Sequence, residues 1–128
     1  MGIVSVAAVI YAIIILGVIA FQIALVAGVP WGAYAMGGAF PGQLPPALRI
    51  AAIVQAVLLA GMAAVILAQA GLILPGWSQG SWLVWIVVAV MLLGLVLNLI
   101  TPSAGERKIW APALAILLIC SLIVALAR

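Results

Sequence analysis

The sequence predicts an all-α membrane protein: a bundle of four transmembrane helices with a Gly/Pro-rich interfacial or re-entrant loop between helices 1 and 2. Hydrophobic residues make up 71% of the chain and charged residues 4%, whereas a soluble domain carries about a quarter charged residues. Four apolar runs, at about 3–27, 50–70, 82–100 and 109–127, reach or approach the ~20 residues that a helix needs to cross hydrocarbon. None alternates like a barrel strand, so residues 1–128 are predicted to form one four-helix transmembrane domain.

The first two runs carry rows of small residues at helical spacing. The first run offers Ala20, Ala24 and Gly28. The second run has an alanine at every fourth position, and we call this row the alanine stripe: Ala52, Ala56, Ala60, Ala64 and Ala68. Small-xxx-small rows let helices approach closely in lipid, where apolar side chains gain little by meeting each other. The rows therefore predict either an antiparallel pairing of helices 1 and 2 or a contact between copies of the chain.

The segment between these runs, residues 28–46, has five glycines, four prolines and no charge. A flexible solvated linker would be richer in serine and charge. Pro30 is suited to open a short helical turn, Gly37 and Gly38 to break it, and Pro41 with Gly42 to form a turn. Backbone at membrane depth must be buried in protein or line a cavity. The segment is therefore expected to lie over the bundle, where it either closes a pocket or only seals the helices.

Three amide side chains lie near the same end of the predicted spans: Gln22, Gln55 and Asn98. An amide in hydrocarbon is unfavourable unless it is paired. One interpretation is that the amides bond to one another and join the helices, which contributes about 1 kcal/mol per contact. The alternative is the floor of a cavity that binds a neutral ligand, with Trp31 and Tyr34 of the segment above it.

The last run is preceded by Ser103 and Glu106, whose spacing is that of a helix capping box. Pro112 is expected to kink this helix or to mark its entry into the membrane. Arg49 is expected in the first turns of helix 2, where a cation opposes the helix dipole and needs another partner. The predicted headgroup or ion-pair residues are the following: Arg49, Glu106, Arg107 and Lys108.

These charges also predict an orientation. Arg49, Arg107 and Lys108 lie in the connections between runs one and two and between runs three and four, and only Arg128 lies beside a terminus. Because basic residues are enriched in cytoplasmic loops, both termini are predicted to lie outside. Because the four apolar runs are predicted to span a membrane, the predicted partner is the lipid bilayer.

Composition argues against several functions. The chain has no histidine, one cysteine and one acidic residue, so no metal, cofactor or catalytic residue is predicted. A net charge of +3 spread along the chain is too small for a nucleic-acid interface. A drug exporter of the small multidrug-resistance type needs a glutamate within its first helix, and the first run has none.

Residues 30–49 resemble a signature of small uncharacterised four-span bacterial integral membrane proteins, PWGx4GGx2PGxLPx3R. The matching residues are Pro30, Trp31, Gly32, Gly37, Gly38, Pro41, Gly42, Leu44, Pro45 and Arg49. Asn98 and the later Glu106, Arg107, Trp110 and Pro112 also fit. The resemblance implies a multi-pass protein of the bacterial inner membrane and implies no activity.

Two functional hypotheses remain. The preferred one is a structural or accessory component without catalytic machinery, acting as a homo-oligomer or as a subunit of a larger membrane complex. The alternative is the binding or translocation of a lipid or small neutral molecule through a polar pocket under residues 28–46. The alanine stripe favours the first hypothesis, and the amides with the Gly/Pro-rich segment favour the second.

Overall fold

A computed structural model describes residues 2–78 and 81–127, and all the regular structure in these ranges is helical. Four α-helices follow one another along the chain: α1 (Ile3–Val26), α2 (Pro46–Gln69), α3 (Leu83–Ile100) and α4 (Ala104–Leu126). Each is long and apolar enough to cross a membrane, which confirms the predicted four-helix, multi-pass membrane protein. The helices alternate in direction, so residues 70–78, 81–82 and 127 lie with the start of α1 at one end of the bundle, and residues 27–45 and 101–103 lie at the other.

Two helices begin before the apolar runs that predicted them. Proline occupies the first position of α2, where its missing N–H leaves no hydrogen bond unmade. At α4 the Ser103 hydroxyl accepts a hydrogen bond from the Glu106 N–H at 3.2 Å, which fixes the helix start at Ala104. The helix continues through Pro112. Hydropathy thus located the membrane-crossing part of each helix, whereas proline and the serine cap decided where the helix starts.

The helices pack unevenly. Close contacts join α1 to α2, α3 to α4 and α1 to α4, whereas α2 and α3 touch much less. A continuous apolar core fills the end of the bundle near the chain termini, and its members include Ala8, Tyr11, Ile66, Val84 and Val124. Each of these side chains is fully buried. We call this half of the molecule the packed end.

The alanine stripe lies only partly inside the bundle. Ala52 and Ala68, near its two ends, are buried, and Ala56 and Ala64 are half-buried. Ala60, at its middle, is exposed, as is the neighbouring Gly61. The ends of the stripe are therefore buried in the bundle, and its centre lies on the surface.

Residues 27–45 cover the opposite end of the bundle, which we call the loop end. Two short 3₁₀ turns, Gly32–Tyr34 and Met36–Gly38, are joined through Ala35. A second apolar cluster, of Leu25, Ala35 and Leu44, holds this segment against the end of α1. Gly32 allows the segment to fold on itself, because its N–H donates to the Gly42 carbonyl at 2.8 Å and a Cβ there would lie 1.9 Å from the Phe40 carbonyl oxygen.

Candidate functional site

A cavity of about 550 Å³ lies inside the loop end. All four helices contribute to its wall, and residues 34–37 close it from above. Most of the wall is apolar, and it includes Ile15, Leu59, Met91 and Leu117 toward the middle of the bundle. Its polar part is formed by the predicted amides together with Thr101 and Glu106. A mostly apolar cavity with a few converging polar groups is the usual form of a small-molecule site.

The three predicted amides come together in this wall from three different helices. Gln22 is in α1, Gln55 in α2 and Asn98 in α3. They do not join the helices by bonding to one another within residues 2–78 and 81–127. The Asn98 amide instead donates to the Gly94 carbonyl at 2.8 Å, one turn back in its own helix. The Gln22 Oε1 atom is buried with no hydrogen-bond partner among the described residues.

Glu106 lies at the polar end of the cavity and is 8% exposed. The Thr101 hydroxyl donates to its Oε1 at 2.7 Å, and the same hydroxyl accepts from the Ser103 N–H at 3.2 Å. These bonds, together with the Ser103 cap on the Glu106 N–H, hold the carboxyl group in one position. The capping box is therefore only half formed, because the Glu106 side chain bonds Thr101 and not the Ser103 N–H.

The loop is fastened to the start of α4 by two hydrogen bonds. The Ser103 hydroxyl donates to the Ala33 carbonyl at 2.7 Å, and the Trp110 indole N–H donates to the Tyr34 carbonyl at 2.8 Å. Gly105 makes room for the Tyr34 ring, since a Cβ at that position would lie 2.4 Å from a ring carbon. The loop thus forms a roof over the cavity that depends on α4 for its position.

Helices α2 and α3 make few contacts with each other, and both helices line the cavity. Gln55 of α2 and Leu97 and Ile100 of α3 belong to the cavity wall and are also exposed on the outside of the bundle, which faces lipid in a membrane. Tyr34 and Pro102, at the loop end, are exposed members of the wall as well. The cavity wall therefore has exposed residues both on the side of the bundle and at the loop end.

One of the predicted ligand-binding residues, Trp31, lies elsewhere. Trp31 is not part of the cavity wall and is 46% exposed. Its ring stacks on that of Phe21, which does line the cavity, with the ring centroids 6.0 Å apart. Tyr34 does line the cavity, as predicted. Trp31 and Tyr34 were both predicted to lie above a ligand, but Phe21 lies between Trp31 and the cavity.

The predicted ion pair is not formed within the described residues. Arg49 donates through Nε to the Leu44 carbonyl at 2.9 Å, and Arg107 donates to the Thr101 carbonyl. Lys108 lines a separate groove on the outside of the loop, beside Ser103. The cations thus bind backbone carbonyls or face outward, while Glu106 turns toward the cavity. Headgroup binding by the cations stays a prediction.

Sequence reasoning missed the part of the wall that α4 provides. It treated Glu106 as a cap at the mouth of the helix, whereas the structure places it in the cavity with Trp110, Leu114 and Leu117. A signal was present, because these positions follow one another at intervals of three or four residues and so share one face of a helix. On this face, the Leu114 side chain lies beside Gly94 of α3.

Comparisons with protein-family models, with curated proteins and with solved structures found no match to this chain. The resemblance of residues 30–49 to small four-span bacterial membrane proteins therefore stays a prediction.

Proposed function

We propose that this protein binds a lipid or other small neutral molecule in the cavity of the loop end, within the membrane. The observation that carries the proposal is the convergence of Gln22, Gln55 and Asn98 on one largely apolar cavity under residues 34–37. Amides that served only to join helices would bond to one another, and these do not. A buried amide oxygen without a partner costs about 1–3 kcal/mol, which a bound ligand can offset.

Native mass spectrometry of the protein extracted in a mild detergent tests this proposal. We expect one reproducible small molecule to leave the wild-type protein on collisional activation. The triple variant Gln22→Leu, Gln55→Leu, Asn98→Leu should lose that molecule while keeping its helical circular dichroism, because leucine fills the site without offering hydrogen bonds. Gln43→Leu is the matched control, since Gln43 is an exposed amide of the same loop outside the cavity wall. Equal retention by the triple variant would refute the proposal.

A role as a structural or accessory component, working as a homo-oligomer or as a subunit of a larger complex, is the second candidate. The exposed centre of the alanine stripe, at Ala60 and Gly61, favours it. Ala60→Leu should lower the fraction of oligomer measured by cross-linking in membranes, because a bulky side chain keeps a second helix away. Ala89→Leu, at an exposed alanine of α3, is the control. An oligomer unaffected by Ala60→Leu would exclude the stripe as a contact surface.

Placement in a bacterial inner membrane with both termini outside is part of the proposal. The predicted arrangement puts the loop end, with Arg49, Arg107 and Lys108, on the cytoplasmic side. Labelling of Gln43→Cys in a Cys120→Ser background with a membrane-impermeant maleimide tests it. The maleimide should leave Gln43→Cys unlabelled in intact cells and should label it in opened cells. Labelling in intact cells would show that the loop end lies outside and that the orientation is the opposite one.

A further inference from the structure

We infer that the ligand of this cavity is an amphipathic lipid with a hydroxyl-bearing head, which enters between α2 and α3 and places its hydroxyl group at Glu106. This inference rests on the proposed function and specifies its ligand. Three observations lead to it: the hydrogen-bonding groups left free in the wall, the charges around Glu106, and the shape and opening of the apolar part.

The polar end of the cavity has free acceptors that a donor on a ligand can pair, beside the free amide N–H groups of Gln22 and Gln55. Three donors in the wall are already used within the protein, by Thr101 toward Glu106, by Asn98 toward Gly94 and by Trp110 toward Tyr34. Three acceptors in the wall have no partner among the described residues: Glu106 Oε2, Asn98 Oδ1 and Gln22 Oε1. A complementary ligand therefore carries a hydrogen-bond donor.

The surrounding groups favour a hydroxyl over an ammonium as that donor. Arg107 lies outside the cavity wall and is bonded to the Thr101 carbonyl, in the same residue whose hydroxyl contacts Glu106, so its positive charge disfavours a cation on the ligand near Glu106. The side-chain amides of Gln22 and Gln55 also offer N–H donors to the cavity. A hydroxyl group both donates and accepts, and so it matches Glu106 and a glutamine amide together.

The apolar part of the cavity fits a hydrocarbon chain. At about 1.5 Å per residue, Met91 lies about 13 Å along α3 from Ile100, and both residues line the cavity. This depth is close to half of the ~30 Å hydrocarbon core of a bilayer. Because Gln55 and Leu97 line the cavity and are also exposed on the side of the bundle, a molecule that enters between them from one leaflet reaches the cavity without crossing water.

Four probes test the ligand class by native mass spectrometry. The protein is prepared in lauryldimethylamine oxide, a detergent without a hydroxyl group, and is mixed with 1-monoolein, methyl oleate, oleylamine or glycerol. We expect one bound 1-monoolein. Methyl oleate should be retained about tenfold less, since it cannot donate a hydrogen bond to Glu106. Oleylamine should also be retained less, because its ammonium group is repelled by the charge of Arg107. Glycerol alone should not be retained, because it lacks the chain.

Two variants separate recognition of the head from entry of the chain. Glu106→Leu should reduce 1-monoolein retention to that of methyl oleate and leave methyl oleate unchanged. Leu97→Trp should reduce the retention of both oleoyl compounds, because it blocks the opening without touching the polar end. Leu99→Trp is its control: this residue is exposed at nearly the same depth of α3 and does not line the cavity.

The outcomes distinguish this inference from the proposed function. Equal retention of methyl oleate and 1-monoolein, or stronger retention of oleylamine, overturns the hydroxyl assignment while the cavity still binds a lipid. Retention of glycerol as strong as that of 1-monoolein overturns entry from the membrane. Failure of all four probes, together with no molecule released from the protein as extracted, refutes the proposed function itself.

Discussion

The two ends of this bundle are built from the same four helices and differ in what fills the space between them. At the packed end, Tyr11, Ile66 and Val124 are fully buried in one continuous apolar core. At the loop end, the helices enclose a cavity of about 550 Å³ lined by amides and by Glu106, and a Gly-rich loop closes it. The packed end thus provides a large apolar core between the helices, whereas the loop end contains the cavity in which we propose that a ligand binds.

The largest expected effect is a difference in unfolding free energy between truncations of apolar side chains at the two ends. Ile66→Ala at the packed end should lower the free energy of unfolding by about 2 kcal/mol, near the low end of the range for soluble cores, because lipid already solvates the side chain when the helices separate. Leu59→Ala, in the cavity wall and half-buried, should cost less than half as much. Unfolding in mixed micelles with increasing sodium dodecyl sulfate measures both, and equal losses would contradict the division between the ends.

The next effect concerns the folding of the loop itself. Gly32→Ala places a Cβ where the Phe40 carbonyl oxygen lies, and the backbone of the loop must move to accommodate it. Hydrogen exchange of residues 28–45 should rise about tenfold or more, while exchange in α1 and α4 at the packed end stays unchanged. Gly17→Ala in α1 has open space around it and is the control. Faster exchange throughout the molecule would show that the ends are not independent.

A smaller effect is expected at the junction of the loop and α4. Ser103→Ala removes both the cap on Glu106 and the bond to the Ala33 carbonyl, and should cost about 1–2 kcal/mol of unfolding free energy. Ser5→Ala is the control, because the Ser5 side chain makes no hydrogen bond within residues 2–78 and 81–127. The same detergent titration measures the loss; no difference between the two variants would mean that the loop is held by apolar contacts alone.

The smallest expected change has the opposite sign and lies at the packed end. The Tyr11 hydroxyl is buried with no hydrogen-bond partner among the described residues. Tyr11→Phe removes this group and keeps the ring, so the free energy of unfolding should stay the same or rise by up to about 1 kcal/mol. A clear loss of stability in the same titration would show that the hydroxyl has a partner, such as an ordered water molecule.

Much of the fold follows from local features of the chain. The four apolar runs located the spans, and Pro46 and Ser103 mark helix starts that hydropathy alone places later. The amides were predicted near one level because distance along a helix sets depth in the membrane. The position of Glu106 in the cavity wall was not predicted. Its spacing from Ser103 fits a capping box, and a capping box does not indicate what the glutamate side chain faces.

The sequence by itself determined that this is a four-helix membrane protein, because the hydrocarbon core requires long apolar helices whatever their arrangement. Only the tertiary structure decided which side of each helix faces inward. In helices that are apolar all round, periodicity marks no inner face, so rotation depends on packing between helices. That packing places Gln22, Asn98 and Glu106 in the wall of one cavity. It leaves Trp31 and the centre of the alanine stripe outside the cavity.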